Sequence, residues 1–399
     1  MGPAHNVQPD ALPAARERAG PPRIVYLVSE DWYFMSHRLP MARAARNAGF
    51  EVHVATRIGE HGAAIKAEGF FPHPLDWSRG NLNPLGLRKL VSAVGKVYRE
   101  VKPDIAHHVA VEASIVGSFA AIGLPFACIN AITGLGNLFY GGSAQEKITR
   151  IPVKAALGWL LRRPRSTVLV QNPDDHNAIR RLGVDPSRIV LIPGSGVDTD
   201  RLRPLPEPAG AVTVAFVGRL LEYKGIRTLV AAHELLALHG RDIRLLIAGL
   251  PDATNRNSVT AGEVAAWTKQ KNIVHLGYVD DIPALWAQAH IAALPSRVGE
   301  GMPLSLLEAG ACGRPLIATD TPGCRDLVRQ GKNGILVPRD DVPALAAAIE
   351  RLADDPDLRR RYGAASRSIV EKEYSSARVG RDVVALYRYV LSAQSQRRA

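Results

Sequence analysis

The chain has 399 residues, 46% of them hydrophobic and 22% charged, with a formal net charge of +12. That length calls for two α/β cores rather than one, and the positive balance calls for an anionic partner: nucleic acid, lipid head groups or a phosphorylated substrate. Cys128, Cys312 and Cys324 are isolated, with no CxxC spacing, which argues against a disulfide framework or a zinc site and fits a reducing compartment.

Residues 1–22, rich in Ala, Pro and Arg, read as a disordered leader. Short apolar runs then recur, each followed by a helical pattern. They are Arg23–Val28, Glu51–Ala55, Asp104–His108, Pro125–Ile129 and Ser166–Val170 in the first half. In the second half they are Val212–Val217, Ile243–Ala248, Ile273–Leu276, Ile291–Leu294, Pro315–Ala318 and Ile335–Val337. Bounded by Gly, Pro or Asp, such runs read as parallel strands buried on both faces. The alternation predicts α/β doubly wound sheets. Three prolines in Arg201–Gly210, RLRPLPEPAG, can continue neither a helix nor a central strand, so the interdomain linker is expected there. Ligands of such sheets bind beyond the carboxyl ends of the strands, so two facing sheets would frame one cleft. No apolar run approaches the roughly 20 residues of a membrane span, so any contact with a membrane is expected at its surface.

Two segments carry the chemistry. Ser296–Glu308, SRVGEGMPLSLLE, follows a strand and opens a helical pattern. Its glycine-rich entry, with Pro303 near the first turn, leaves backbone N–H groups unpaired. That end of a helix favours a phosphate or a developing negative oxygen. Glu300 and Glu308 lie in small, apolar surroundings and can accept from the hydroxyls of sugar and ribose. In Phe216–Gly225, FVGRLLEYKG, Arg219 and Lys224 flank a turn into a helix. Cations there are unfavourable without an anion, and two fixed cations suit a diphosphate. Together the segments describe a nucleotide diphosphate site.

Other features admit two readings. His37 and Arg38 precede a helix, as exposed first-turn residues or as groups that meet acceptor or donor phosphates. His107 and His108 end a strand, one of them as a satisfied buried histidine. Lys147–Arg165 holds six basic residues and no acid. In it Val153, Ala156, Leu157, Leu160 and Leu161 share a helical face. That helix either packs on the core with a basic outer side or lies on anionic lipid with Trp159 near the interface.

At Gly218–Arg219, Lys224–Gly225, the E-x7-E pair Glu300 and Glu308, and the run Leu307–Val328, the sequence resembles glycosyltransferase family 4, retaining enzymes of the GT-B fold with two Rossmann-like domains. The resemblance covers roughly residues 23–390. The opening SEDWYFMSHRLPMARAARNAGFEVHVAT and the segment Asn130–Phe139 look like the subgroup that adds sugars to polyprenyl-diphosphate-linked acceptors. It implies that Gly218, Arg219 and Lys224 bind the donor diphosphate and that Glu308 binds ribose. It further implies that Glu300 holds sugar and phosphate with Gly301, Met302, Pro303 and Leu304, and that Tyr278 and Val279 frame the base. His37, Arg38, Thr133 and Gly134 fall on the acceptor or phosphate side. Many members carry a histidine after the strand spanning Pro125–Ile129; here Thr133 precedes Gly134-Leu135-Gly136. The implied domains are an acceptor-binding domain over 23–205, a nucleotide-sugar domain over 206–375 and a helix over 376–399 that returns to the first domain. Val379, Val383, Val384, Leu386, Tyr387 and Val390 supply that helix with an apolar stripe.

The expected protein is a hexosyltransferase that uses a UDP-sugar and a lipid-linked saccharide. It is expected to need no metal cofactor and to sit peripherally on the inner face of the cell membrane. A dehydrogenase would need G-x-G-x-x-G after a strand, which is missing. Nucleic-acid binding would need stacking aromatics among the bases, and aromatics are only 6% of the chain. The alternative is a nucleotide-sugar epimerase on the same fold.

Overall fold

The computed structural model describes residues 20–77, 84–135, 151–252, 255 and 257–396. The leader up to residue 19, the segment Asn130–Phe139 beyond Leu135, and Lys147 and Arg150 lie outside them. The chain forms two compact units, one of Met1–Thr133, Gly142–Gly196 and Ser376–Ala399, the other of Gly134–Gly141 and Val197–Ser375.

The first unit is built on a parallel sheet ordered β3-β2-β1-β4-β5-β6-β7. Its strands are β1 (Arg23–Glu30), β2 (Glu51–Arg57), β3 (Phe71–Pro74), β4 (Ile105–Val109), β5 (Ala127–Ile132), β6 (Ser166–Val170) and β7 (Ile189–Leu191). Its described helices are α1 (Asp31–His37), α2 (Leu39–Asn47), α3 (Gly62–Ala67), α4 (Pro84–Val101), α5 (Ala110–Ala120), α6 (Ile151–Leu161), α7 (Pro173–Arg181) and the terminal helix α15 (Ser376–Gln396). Alternate residues of β1 feed two cores. Ile24, Tyr26 and Val28 pack with Phe34 of α1, Met41 and Ala45 of α2 and Val383 and Tyr387 of α15. Val25 and Leu27 pack with Leu90 and Val94 of α4 and Val116 of α5.

The second unit has a parallel sheet ordered β10-β9-β8-β11-β12-β13. These are β8 (Thr213–Val217), β9 (Arg244–Ala248), β10 (Ile273–Gly277), β11 (Ile291–Leu294), β12 (Leu316–Thr319) and β13 (Gly334–Val337). Around them lie α8 (Ile226–Leu238), α9 (Ala261–Trp267), α10 (Ile282–Trp286), α11 (Leu304–Ala311), α12 (Cys324–Leu327), α13 (Val342–Asp354) and α14 (Pro356–Ile369). One core of Phe216, Leu246, Leu294, Leu307 and their neighbours unites the unit. Asp281, Asp341 and Asp355 each cap a following helix N-terminus with a side-chain oxygen.

Two features depart from the sequence reading. The edge strands β3 and β7 add to the first sheet; FPHP carries two prolines and IVL is three residues long, so neither has a strand's usual pattern. The passage between the units falls at Gly196–Val197, upstream of the expected linker. Arg201–Gly210 is instead bound to the second unit. The Leu205 N–H donates to the Cys312 carbonyl, Arg314 donates to the Pro206 carbonyl, and Arg359 pairs with Glu207. Prolines stop regular structure, yet their carbonyls still accept, so the run lies fastened as an irregular strap.

A buried polar chain crosses the first sheet. Tyr98 Oη and His108 Nε2 lie 2.9 Å apart, His108 Nδ1 and Asn130 Oδ1 2.8 Å apart, and Asn130 Nδ2 donates to Ser166 Oγ at 2.9 Å. Burial holds the His108 imidazole down at about 4, against partial support from Asn130. His107, also buried, is held well below the usual histidine range by burial and then by Arg38. The unfolded chain therefore takes up protons first as pH falls below about 6.5. Stability present above that pH is lost toward pH 4, by about 3 kcal/mol for His108 alone. Urea titrations between pH 7.5 and 4.5 are expected to show this slope, reduced by about one proton in His108→Gln. An unchanged slope in the variant would assign the proton elsewhere.

Candidate active site

The second sheet reverses its order between β8 and β11, the place where a doubly wound sheet opens a crevice at its carboxyl edge. Both motifs of the sequence reading end up there. After β8, Gly218 and Arg219 lead into a short turn, Glu222–Lys224, closed by Gly225 in the left-handed region at φ 76°. A Cβ on Gly225 would overlap the Pro295 carbonyl, so only glycine lets the two loops meet. The Arg297 N–H donates to the Tyr223 carbonyl at 2.7 Å and Ser296 Oγ to the same oxygen at 3.2 Å.

These stitches bring Lys224 onto Glu300. Lys224 Nζ donates to Oε1 at 2.7 Å and to Oε2 at 2.8 Å, and Ser296 Oγ donates to Oε1 at 2.7 Å. The pair is largely withdrawn from solvent, its side chains 19% and 14% exposed. Desolvation works against the lysine's charge, but the charge and hydrogen bonds of Glu300 outweigh it and hold Lys224 above its ordinary value. Arg219 is more open. Its guanidinium lies 3.5 Å from Asp252 and donates to the Tyr223 hydroxyl at 3.4 Å.

Helix α11 starts at Leu304, with Pro303 as its N-cap residue in extended conformation. Pro303 has no N–H to give, so its part is to set the entry angle. The amides of the helix's first turn have no partner within the helix and carry its positive end. Gly301 and Met302 are buried beneath this turn. Glu308 is half-buried one turn on, and burial pushes its carboxyl up to about 8 against the opposing charge of Arg201. In its protonated form it can both donate to and accept from hydroxyls. Tyr278 and Val279 follow β10, with Tyr278 70% exposed. Gly134, at φ 126°, belongs to the second unit, where a Cβ on it would stand 2.8 Å from the Gly301 nitrogen.

The first-unit candidates divide. The His37 ring stacks on Tyr33 at 4.2 Å, and the Tyr33 hydroxyl donates to Thr133 Oγ1 at 3.4 Å. Arg38 is fully buried, touching Met41 Sδ, with Nε and Nη2 unpartnered among the described residues. It is neither an exposed first-turn residue nor open to a phosphate in this conformation. Both strand-end histidines are buried, not one. Among the described residues no three His, Cys, Asp or Glu side chains gather as a metal site. Sequence reasoning missed Ser296, which orients Glu300, and Gly225, whose close approach no local pattern announces.

Two doubly wound parallel sheets with such loops at the reversal of the second define the GT-B class. Residues 23–169 match the family described as "Glycosyl transferase 4-like" and residues 211–355 the family described as "Glycosyl transferases group 1". Both matched families are of glycosyl transferases, one over each half of the chain, and the fold is that of the GT-B class. It is 31% identical over 179 residues to alpha-D-kanosaminyltransferase of Streptomyces kanamyceticus, matching 44% of this chain and 45% of that protein's length. It is 26% identical over 297 residues to UDP-Gal:alpha-D-GlcNAc-diphosphoundecaprenol alpha-1,3-galactosyltransferase of Escherichia coli, covering 70% and 73% of the two chains. The crystal structure of Anabaena HepE in complex with UDP and glucose superposes with a TM-score of 0.74 at 17% identity, over 91% of this chain and 98% of that one. These matches give the epimerase alternative no support.

Proposed function

We propose that the protein is a retaining hexosyltransferase that moves a hexose or N-acetylhexosamine from a UDP-sugar to a polyprenyl-diphosphate-linked saccharide during surface polysaccharide or glycan assembly. The observation that carries this reading is the Lys224–Glu300 pair beside Arg219 and the α11 N-terminus, at the reversal of the sheet. As the anomeric C–O bond to the diphosphate breaks, negative charge grows on the leaving oxygen. Arg219, Lys224 and the amides around Gly301, Met302 and Leu304 stabilise it with little reorganisation. Glu308 takes the ribose hydroxyls, Tyr278 and Val279 border the base, and Glu300 orients the sugar. The acceptor oxygen bonds to the anomeric carbon on the face the diphosphate leaves, and its proton passes to a donor phosphate oxygen. No metal takes part. The undecaprenol-linked substrate named for the Escherichia coli relative supports the acceptor class.

A lipid-linked acceptor requires the enzyme at an anionic membrane surface, and no helix among the described residues is long and apolar enough to cross one. The α4, α5 and α6 side of the first unit has the matching chemistry. Leu157, Leu160 and Leu161 face the core, while Ile151, Val153 and Trp159 are exposed, as is Ile122 after α5. The Arg163 guanidinium lies over the Trp159 ring at 5.2 Å. Along α4, Leu85, Arg88, Lys89, Lys96 and Arg99 border a groove of about 620 Å³. Exposed aromatic and aliphatic groups among bases suit the head-group layer. The test incubates radiolabelled UDP-sugars with and without polyprenyl-diphosphate saccharide in anionic vesicles, with and without EDTA. Lipid-dependent, EDTA-resistant transfer is expected. Vesicle binding should weaken as salt rises from about 0.05 to about 0.5 M, because the Debye length falls below about 10 Å beyond 0.1 M. Sugar turnover without acceptor, or no binding at low salt, would remove the reading.

A further inference from the structure

We propose that Arg297 is the positioning residue of the donor site, the group that holds the turn carrying Lys224 against the loop carrying Glu300; this rests on the transferase reading. The two loops share main-chain stitches at one place, where the Arg297 N–H and Ser296 Oγ both meet the Tyr223 carbonyl. A turn tied at one point can still rock about it. The Arg297 side chain adds two more ties. Its Nη1 donates to Glu222 Oε1 at 2.8 Å, two residues before Lys224 on the same turn. Its Nε lies 2.7 Å from Asp340 Oδ1, in the loop between β13 and α13.

These ties continue as a row of alternating charge. Glu222 Oε2 lies 3.6 Å from Arg227 Nη1 on α8, and Arg227 Nε donates to Glu263 Oε1 on α9 at 2.8 Å. Asp340, Arg297, Glu222, Arg227 and Glu263 thus alternate in sign across the loops after β8, β11 and β13 and the starts of α8 and α9. Asp340 stands at φ 57°, a left-handed conformation that is unfavourable for an L-residue and persists where the surroundings impose it. With two carboxylates upon it, the Arg297 guanidinium is already neutralised, so it acts through Lys224 and Glu300 rather than on the diphosphate. The side chains of Arg297, Glu222 and Asp340 are 40%, 45% and 49% exposed. Ion pairs so open to water add little to stability. What they fix is direction, and a misplacement of about 1 Å far from the chemistry can slow a reaction about 10²-fold.

The test uses the full chain and compares Arg297→Met, which keeps the stem and loses the charge, with Asp340→Gly, which also relieves the left-handed backbone. Arg297→Met is expected to lower kcat with the UDP-sugar that supports transfer by roughly 10- to 100-fold. UDP affinity should fall by less than about threefold, because a rocking turn still reaches a bound diphosphate. The melting temperature should stay within about 4 °C of wild type, as exposed pairs contribute little. Asp340→Gly should lower kcat by about 3- to 10-fold although its backbone strain is gone. The double variant should be no slower than Arg297→Met alone, since both changes cut one chain of contacts. Hydrogen exchange without substrate gives a reading independent of transfer. The Lys224 and Gly225 amides, which close the turn on the Leu221 and Glu222 carbonyls, should exchange faster in both variants. A merely stabilising Arg297 predicts instead a lowered melting temperature, wild-type kcat per folded molecule and no effect of Asp340→Gly. That pattern, or unchanged exchange in Arg297→Met, would overturn the inference. Faster exchange beside a wild type that transfers no sugar would confirm the hold and remove the transferase reading alone.

Discussion

Replacing Lys224 by methionine is expected to lower kcat/KM for sugar transfer by about 10²–10³-fold, the effect of removing one preorganised donor from a developing oxyanion. The lysine has two jobs that must be separated. It neutralises Glu300, which it meets through both carboxylate oxygens in a largely desolvated site. In the proposed reaction it also meets the departing diphosphate. Lys224→Met takes the donor away from both Glu300 carboxylate oxygens while Ser296 still donates to one of them, and breaking a buried ion pair by removing one partner is strongly unfavourable. Part of the loss in the single variant is therefore a displaced Glu300 loop. The double variant Lys224→Met/Glu300→Gln removes that penalty. If Lys224 serves only to pair Glu300, the double variant is no slower than Glu300→Gln alone. If it stabilises the leaving group, the double variant is much slower than Glu300→Gln alone while its melting temperature recovers from that of Lys224→Met. Calorimetric UDP binding and steady-state kinetics decide the matter. A folded Lys224→Met enzyme within about fivefold of wild type would sink the assignment, since less than 1 kcal/mol of transition-state stabilisation would remain to explain.

Legibility in the sequence followed the range of the interaction. Central strands such as Ile24–Val28 and Ile291–Leu294 are apolar on both faces, so they read directly as buried parallel strands. The edge strands β3 and β7 lack that double burial and gave no signal. The loops Phe216–Gly225 and Ser296–Glu308 were readable because each is a local motif at a strand end. Their mutual geometry was not: the Lys224–Glu300 pair joins residues 76 apart, and the Gly225–Pro295 approach depends on both loops at once. Arg38 illustrates the opposite error. A charged residue between a strand and a helix reads as exposed or ligand-facing, whereas α1 and α2 close over it and it is fully buried. Arg297 and Glu222, 75 residues apart, had no pattern in common either. Prolines in Arg201–Gly210 marked irregular backbone correctly, but irregular backbone is not the same as a passage between units.

Ending the chain at Ser375 is expected to unfold the first unit altogether, a larger effect than the loosened enzyme that an apolar stripe by itself implies. Helix α15 is part of that unit's core. Val379, Val383, Leu386, Tyr387 and Val390 are all buried among Tyr26, Met41, Ala45 and Phe50. The helix packs so closely on α2 that a Cβ on Gly380 would stand 2.8 Å from the Ala44 Cβ. Its Tyr387 hydroxyl lies 2.6 Å from the Tyr26 hydroxyl and 2.6 Å from His107 Nδ1, which ties the helix to both β1 and β4. Burying five such side chains contributes about 7–15 kcal/mol at 1.5–3 kcal/mol each. That equals the whole net stability of an ordinary domain, about 5–15 kcal/mol. The second unit owns no side chain of α15 in its core, so it should remain folded. Hydrogen exchange on the shortened chain is the measurement: amides of β1 and β2 should exchange freely, while those of β8 and β11 stay protected. A milder companion is Tyr387→Phe, expected to cost about 1–3 kcal/mol because it removes a partner from a buried hydroxyl and a buried imidazole at once. Full protection of β1 in the shortened chain would mean that the first unit's sheet and remaining helices suffice without α15, and the core assignment would fall with it.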